Sequence, residues 1–180
     1  MKSIAVYCSS SNDVEEVYKE EARKVGELLG KNKYKIVYWG GNMGLMGTIS
    51  NSSIAAGGHV YGVITKHLID FEKKNKSLNN LKIVTSMHER KIEMFNSSEI
   101  FLIFPGGIGT LEEFFEVYSW KQLHIHSKPI IIYNFNNFWK GYNSISHWVS
   151  NNKPKSNYTF KYCQMGNSYF HAFYSHHNNI

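Results

Sequence analysis

Five apolar residues, Ile100-Phe101-Leu102-Ile103-Phe104, run without a break into Pro105-Gly106-Gly107-Ile108-Gly109, and Thr110-Leu111-Glu112-Glu113 then opens a helical pattern. A short continuous apolar run marks a strand buried on both faces, and hence a parallel sheet covered by helices. The glycines therefore lie between the end of a buried strand and a helix N-terminus. There, unpaired N–H groups and the positive end of the helix dipole favour an anion, most often a phosphate. Glycine lets the backbone approach that anion closely. The carboxylates of Glu112 and Glu113 place acid or base chemistry beside it.

The rest of the chain repeats this alternation. Strands are expected at Ile4–Cys8, Lys35–Trp39, His59–Ile64, Leu81–Thr85, Ile100–Phe104 and Pro129–Tyr133. Helices are expected at Val14–Leu29, from the Gly40–Gly47 turn through Ala56, and at Met87–Ser97, Thr110–Leu123 and Phe138–Val149. Asn12 or Asp13 is the expected N-cap of the first helix. Thr65–Asn80 reads as a long polar loop. This order implies an α/β protein: a single-domain, Rossmann-like, doubly wound parallel sheet with helices on both faces and ligands beyond the strands' C-terminal ends. Three strand-to-helix turns converge on that edge, at Cys8–Ser11, Gly40–Gly47 and Pro105–Thr110. Neither glycine turn ends in Gly-Lys-Ser/Thr, and Gly-x-Gly-x-x-Gly does not occur. Residues 1–149 form the expected nucleotide-binding α/β domain. Residues 150–180, rich in Asn, Ser, Tyr and His without a clear period, read as an irregular polar tail.

Composition narrows the partners. A length of 180 residues suits one domain with a sizeable core. No apolar run approaches the roughly 18 residues that would span a bilayer. Two cysteines are too few for a disulfide framework, so a reduced, cytoplasmic protein is expected. The formal charge of +6 comes from lysines scattered in short loop clusters, so neither nucleic acid nor a membrane is an expected partner. His124 and His126 lack a carboxylate companion, and Cys163, His171, His176 and His177 are too loosely spaced for zinc. Neither a metal nor an organic cofactor is expected.

Longer motifs sharpen the reading. Met87-His88-Glu89-Arg90-Lys91, a strand, and then Pro105-Gly106-Gly107-Ile108-Gly109-Thr110 with Glu113 occur in that order. Tyr7-Cys8-Ser9-Ser10-Ser11 opens the chain, Gly40-Gly41-Asn42-Met43-Gly44-Leu45-Met46-Gly47 follows, and Tyr118-Ser119-Trp120-Lys121-Gln122-Leu123-His124 comes later. From residue 3 to about 148 the chain resembles the LOG family, the cytokinin riboside 5′-monophosphate phosphoribohydrolases, named "lysine decarboxylase" in older usage. The resemblance implies a homodimer that cleaves the N-glycosidic bond of a nucleoside 5′-monophosphate, giving free base and ribose 5-phosphate. It implies Arg90 and Glu113 as the catalytic pair. It implies substrate contacts from Gly106, Gly107, Ile108, Gly109 and Thr110, and from Lys91, Met87, Ser10 and Gly41.

These residue types suit that chemistry. Glycosidic cleavage passes through an oxocarbenium-like transition state, which a carboxylate such as Glu113 stabilises while orienting water. Arg90 keeps its proton, binds phosphate or ribose oxygens and fixes the carboxylate. The blander alternative is an interhelix salt bridge between Arg90 and Glu113. Glu112 and Glu116 read as a solvated face, Cys8 as a buried strand end, and Trp120 as core or the wall of a base pocket. A non-catalytic nucleotide-binding or sensing protein is the alternative to the hydrolase. An amino-acid decarboxylase is disfavoured, because no lysine stands in a Schiff-base context. Departures from the family pattern are Ser9 where a glycine is usual, the Thr65–Asn80 loop, and the tail.

Overall fold

The computed structural model describes residues 1–69, 75, 78 and 80–140, together with the backbone of 158–165 and 168–175. Six strands run parallel: β1 (Ser3–Tyr7), β2 (Lys35–Tyr38), β3 (His59–Thr65), β4 (Asn80–Val84), β5 (Ile100–Ile103) and β6 (Ile130–Asn134). Four helices connect them: α1 (Glu16–Lys31), α2 (Gly44–Ala55), α3 (Met87–Asn96) and α4 (Ile108–Gln122). The order across the parallel part is β4-β3-β2-β1-β5-β6. The chain therefore winds outward from β1 in one direction and resumes at β5 in the other. The junction of β1 and β5 is the topological switch point, where such sheets open a crevice for ligands.

Burial follows the pleat. Ile4, Val6 and Cys8 of the first strand segment pack with Ala22, Val25 and Leu29 of α1 and Leu45, Met46 and Ile49 of α2. Ala5 and Tyr7 face the other way, with Met94 of α3 and Phe114 and Val117 of α4. The expected doubly wound sheet is thus present, with a core on each face. No described helix is long and apolar enough to cross a membrane.

Where element ends differ from expectation the shift is one or two residues, apart from α2, which begins at Gly44 inside the expected turn. Neither Asn12 nor Asp13 caps α1; its N-cap is Glu15, without a side-chain hydrogen bond. Asn12 is drawn elsewhere, its Oδ1 accepting the Gly44 N–H at 3.0 Å. Helix α4 starts at Ile108 rather than Thr110, so the last glycine of the turn lies inside it. The expected helix at Phe138–Val149 falls largely outside the described residues. In the tail, read as irregular, the backbone forms β7 (Tyr158–Met165) and β8 (Ser168–Ser175), paired antiparallel, with β8 also antiparallel to β6. The alternation of Tyr158, Phe160 and Tyr162 with polar residues is the period-two signal for such a strand.

Candidate active site

Hydrogen bonds pin the three turns together at the switch point. The Ser9 N–H donates to the Pro105 carbonyl at 3.1 Å, and the Ser9 carbonyl accepts from Leu45 N at 3.0 Å and Met46 N at 3.3 Å. The Ser9 hydroxyl accepts from Ser11 N at 3.1 Å, so the side chain that replaces the usual glycine braces its own turn. Gly44 is obligatory here: φ is +56°, and a Cβ would lie 2.4 Å from the Ser11 carbonyl oxygen. Gly106 is tightly packed as well, since a Cβ would lie 2.1 Å from Thr110 Oγ1 and 3.0 Å from Ser9 N.

These turns enclose a cleft of about 250 Å³ lined by Cys8, Ser9, Ser10, Ser11, Trp39, Met46, Gly107, Ile108, Gly109, Thr110 and Glu113. Its far wall is the N-terminus of α4. Gly107 is the N-cap there, and no described side chain caps the helix, leaving first-turn N–H groups directed at the cleft. A Cβ at Gly107 or Gly109 would meet nothing within 4 Å. That open space is where an anion can approach the helix end.

Gly109 and Glu113 are four residues apart and share one helix face, separated by about 6 Å of helical rise. Gly109→Ala therefore places a methyl group in the anion's space on the carboxylate's side. Thermal stability is expected to hold or rise by up to about 1 kcal/mol, because alanine favours helix. Affinity for ribose 5-phosphate, measured by calorimetry, is expected to fall at least about tenfold, equivalent to roughly 1.4 kcal/mol.

Glu113 is 4% exposed, with its carboxylate at the inner end of the cleft. Burial pushes its carboxyl well above the usual carboxylate range; the Trp39 indole N–H and the Arg90 guanidinium pull the other way. Cys8 and Tyr7, on the adjoining strand segment, are both pushed up by burial and then by the Glu113 charge. Both therefore stay protonated at neutral pH, and the Cys8 thiol is a poor nucleophile.

Arg90 is wholly buried. Ser86 caps α3, its hydroxyl accepting from Glu89 N at 3.1 Å, and the Glu89 carboxylate takes the Thr85 N–H at 2.8 Å. That cap fixes where α3 begins and delivers Arg90 one turn later against the sheet. Its Nε donates to the Val63 carbonyl and its Nη2 to the Trp39 carbonyl, each at 3.1 Å. The guanidinium lies over the Trp39 ring, 3.6 Å from the centroid. The same indole donates its Nε1–H to Glu113 Oε1. Arg90 and Glu113 are thus joined through Trp39, which had carried no functional expectation in the sequence.

Of the residues expected at the substrate, Ser10, Gly107, Ile108, Gly109, Thr110 and Glu113 line the cleft. Gly106, Gly41, Met87, Arg90 and Lys91 lie outside that lining. Gly41 is buried behind its turn, and Met87 packs its sulfur against Arg90 Nη1 at 3.8 Å. Lys91 Nζ bridges Glu112 at 2.7 Å and Glu116 at 2.9 Å, so the solvent-facing Glu112 and the half-buried Glu116 form a clamp on one lysine. Trp120 packs edge-on against Phe95, with ring centroids 4.9 Å apart, and is no part of the cleft lining. Among the described residues, no three His, Cys, Asp or Glu side chains group as metal ligands.

Sheet order, switch-point cleft and open helix N-terminus together define a Rossmann-like α/β protein whose cleft ends on an uncapped helix N-terminus. Comparison with known proteins gives the family. A family model described as "Possible lysine decarboxylase" matches residues 46–171. The cytokinin riboside 5′-monophosphate phosphoribohydrolase LOG5 of Arabidopsis thaliana is 41% identical over 138 residues, 77% of this chain and 60% of that protein. LOG7 of the same plant is 41% identical over 148 residues, 82% of this chain and 67% of that protein. The chain belongs to the LOG family. It spans three fifths to two thirds of the length of these relatives. The molybdenum cofactor binding protein of Rippkaea orientalis shares the fold at 19% identity, with a TM-score of 0.65 over 84% of this chain and 85% of that one. The family model's description names a decarboxylase. That chemistry calls for a lysine in Schiff-base contact with pyridoxal phosphate. Among the described residues the cleft lining contains no lysine, and Lys91 is held in its carboxylate clamp.

Proposed function

We propose that the chain hydrolyses the N-glycosidic bond of a purine riboside 5′-monophosphate, either AMP or an N6-substituted cytokinin nucleotide, releasing the free base and ribose 5-phosphate. The observation that carries this reading is the buried Glu113 carboxylate set four residues along the helix whose open N-terminus faces the same cleft. The names of the plant relatives support it. The phosphate sits on the first-turn N–H groups of α4, and the ribose lies along the Gly109–Glu113 face. Ionised Glu113 stabilises the positive charge that develops at the anomeric carbon and accepts a proton from the attacking water. As the C1′–N bond breaks, its electron pair leaves with the base nitrogen, which takes up a proton from solvent. The water oxygen ends on C1′.

The test is to incubate the protein with AMP and with N6-isopentenyladenosine 5′-monophosphate and to follow free base by chromatography. Release from either supports the hydrolase, and the faster substrate defines the base preference. Nucleotide binding without release favours a sensing or carrier protein.

The working unit is a homodimer in the cytoplasm. Ile108, Leu123 and Ile125, exposed by 83%, 68% and 60%, leave separate apolar side chains at the two ends of α4 that a second copy would cover. Light scattering at micromolar concentration is expected to give twice the 20.8 kDa mass of the chain. A single-chain mass would overturn the dimer.

A further inference from the structure

Trp39 follows directly on β2, half-buried, and is the one aromatic side chain among the described residues of the cleft lining. It is held at two points by one cation: Arg90 donates to its carbonyl and covers its ring. An indole swings about two side-chain torsions, and the guanidinium on its face fixes both. The remaining polar group, Nε1–H, is a donor only. It is spent on Glu113, 74 positions away in the sequence.

We propose that Trp39 is a positioning residue for the glycosidic cleavage: it holds the Glu113 carboxylate in the cleft and carries the influence of Arg90 to it. This rests on the reading of Glu113 as the working carboxylate. A buried carboxylate competes poorly with its own protonated form, because burial disfavours charge. A donor-only partner counters this, since its hydrogen bond is stronger to the anion than to the acid. A cation over the ring face draws electron density from the indole and strengthens that donor. The orientation also matters. With Oε1 held by the indole, one oxygen is immobilised and the carboxylate plane is set relative to the sugar.

Other groups act on Glu113 from every side. Tyr7 and Cys8 face it from β1 and its end, both protonated. Arg90 and Lys91 of α3 favour its ionised form, while Glu112 of its own helix opposes it. Only Trp39 among them makes a hydrogen bond to the carboxylate. Removing that bond therefore changes both the ionisation and the aim of Glu113 while leaving the anion site at the α4 N-terminus untouched.

Trp39→Phe keeps a ring for Arg90 and deletes the N–H. With AMP as substrate, kcat is expected to fall about ten- to a hundredfold with KM within about twofold. The acid limb of the kcat profile is expected to move to higher pH, because Glu113 then needs a higher pH to ionise. A limb that stays in place with kcat unchanged overturns the proposal. A second measurement does not depend on the variant's folding. In the wild-type protein labelled with indole nitrogen-15, the Trp39 Nε1–H resonance, assigned by elimination among the four tryptophans, is expected to titrate with the acid limb. That titration is expected to vanish in Glu113→Gln. An indole resonance flat across the limb overturns the proposal. Failure of the hydrolase reading looks different: the wild-type protein would release no base at any pH, whatever the indole does.

Discussion

Glu113→Gln is expected to bind AMP and ribose 5-phosphate about as tightly as the wild-type protein and to release base about a hundred- to ten-thousand-fold more slowly. The amide is close in shape and keeps an oxygen for the Trp39 N–H, so the cleft is preserved. What is lost is the negative charge beside the anomeric carbon and the proton acceptor for water. Stability should move in the opposite sense. A carboxyl whose pKa in the folded protein lies above its ordinary value of 4.5 holds its proton more tightly when folded. Its contribution to stability is fully present below that ordinary value and is lost as pH rises through the folded-state value. Wild-type denaturation midpoints should therefore decline over that interval, and Glu113→Gln should remove that part of the decline. Activity runs the other way and appears only above the raised pKa. Retained turnover in the variant would sink the assigned role. A lost slope together with retained turnover would leave Glu113 a buried acid without a part in the chemistry.

The sheet was legible because its signals are local. Buried runs such as Ile100–Ile103 announce parallel strands, and the spacing of Ala22, Val25 and Leu29 announces a helix face. The cleft was legible in outline because Gly107 and Gly109 occupy a strand-to-helix junction, a place with one strong physical use. What stayed hidden depends on contacts between distant residues. An arginine on a helix is ordinarily read as solvated, yet Arg90 is wholly buried because two backbone carbonyls and an indole face receive it. Trp39 ends an apolar stretch and looks like any strand residue; only its bond to Glu113 across the fold gives it a role. The family resemblance implied a substrate contact from Lys91. Its spacing could not show that Glu112 and Glu116 of α4 would occupy it. Asn12 was a reasonable cap by type, but the Gly44 N–H competed for its side chain.

Arg90→Met separates these roles most sharply. Methionine matches much of the arginine's length but supplies no N–H, so the buried Val63 carbonyl and the part-buried Trp39 carbonyl lose this donor. Each buried acceptor left unpaired costs about 1–3 kcal/mol, so a total destabilisation of about 2–6 kcal/mol is expected by chemical denaturation. The same change frees the Trp39 ring and removes a nearby positive charge that favours ionised Glu113. Base release is therefore expected to fall about a hundredfold or more, with the acid limb displaced upward in pH. Arg90→Lys keeps the charge but not the planar fork or the flat stack on the indole, so it should recover little of the stability. The contrast with Glu113→Gln is diagnostic: a carboxylate engaged in chemistry costs rate and not stability, whereas a cation that organises the site costs both. Wild-type stability in Arg90→Met would overturn this account, and so would a large loss of ribose 5-phosphate affinity at full stability. The latter would mean that Arg90 meets the phosphate directly, in an arrangement where its side chain leaves the sheet and reaches the cleft.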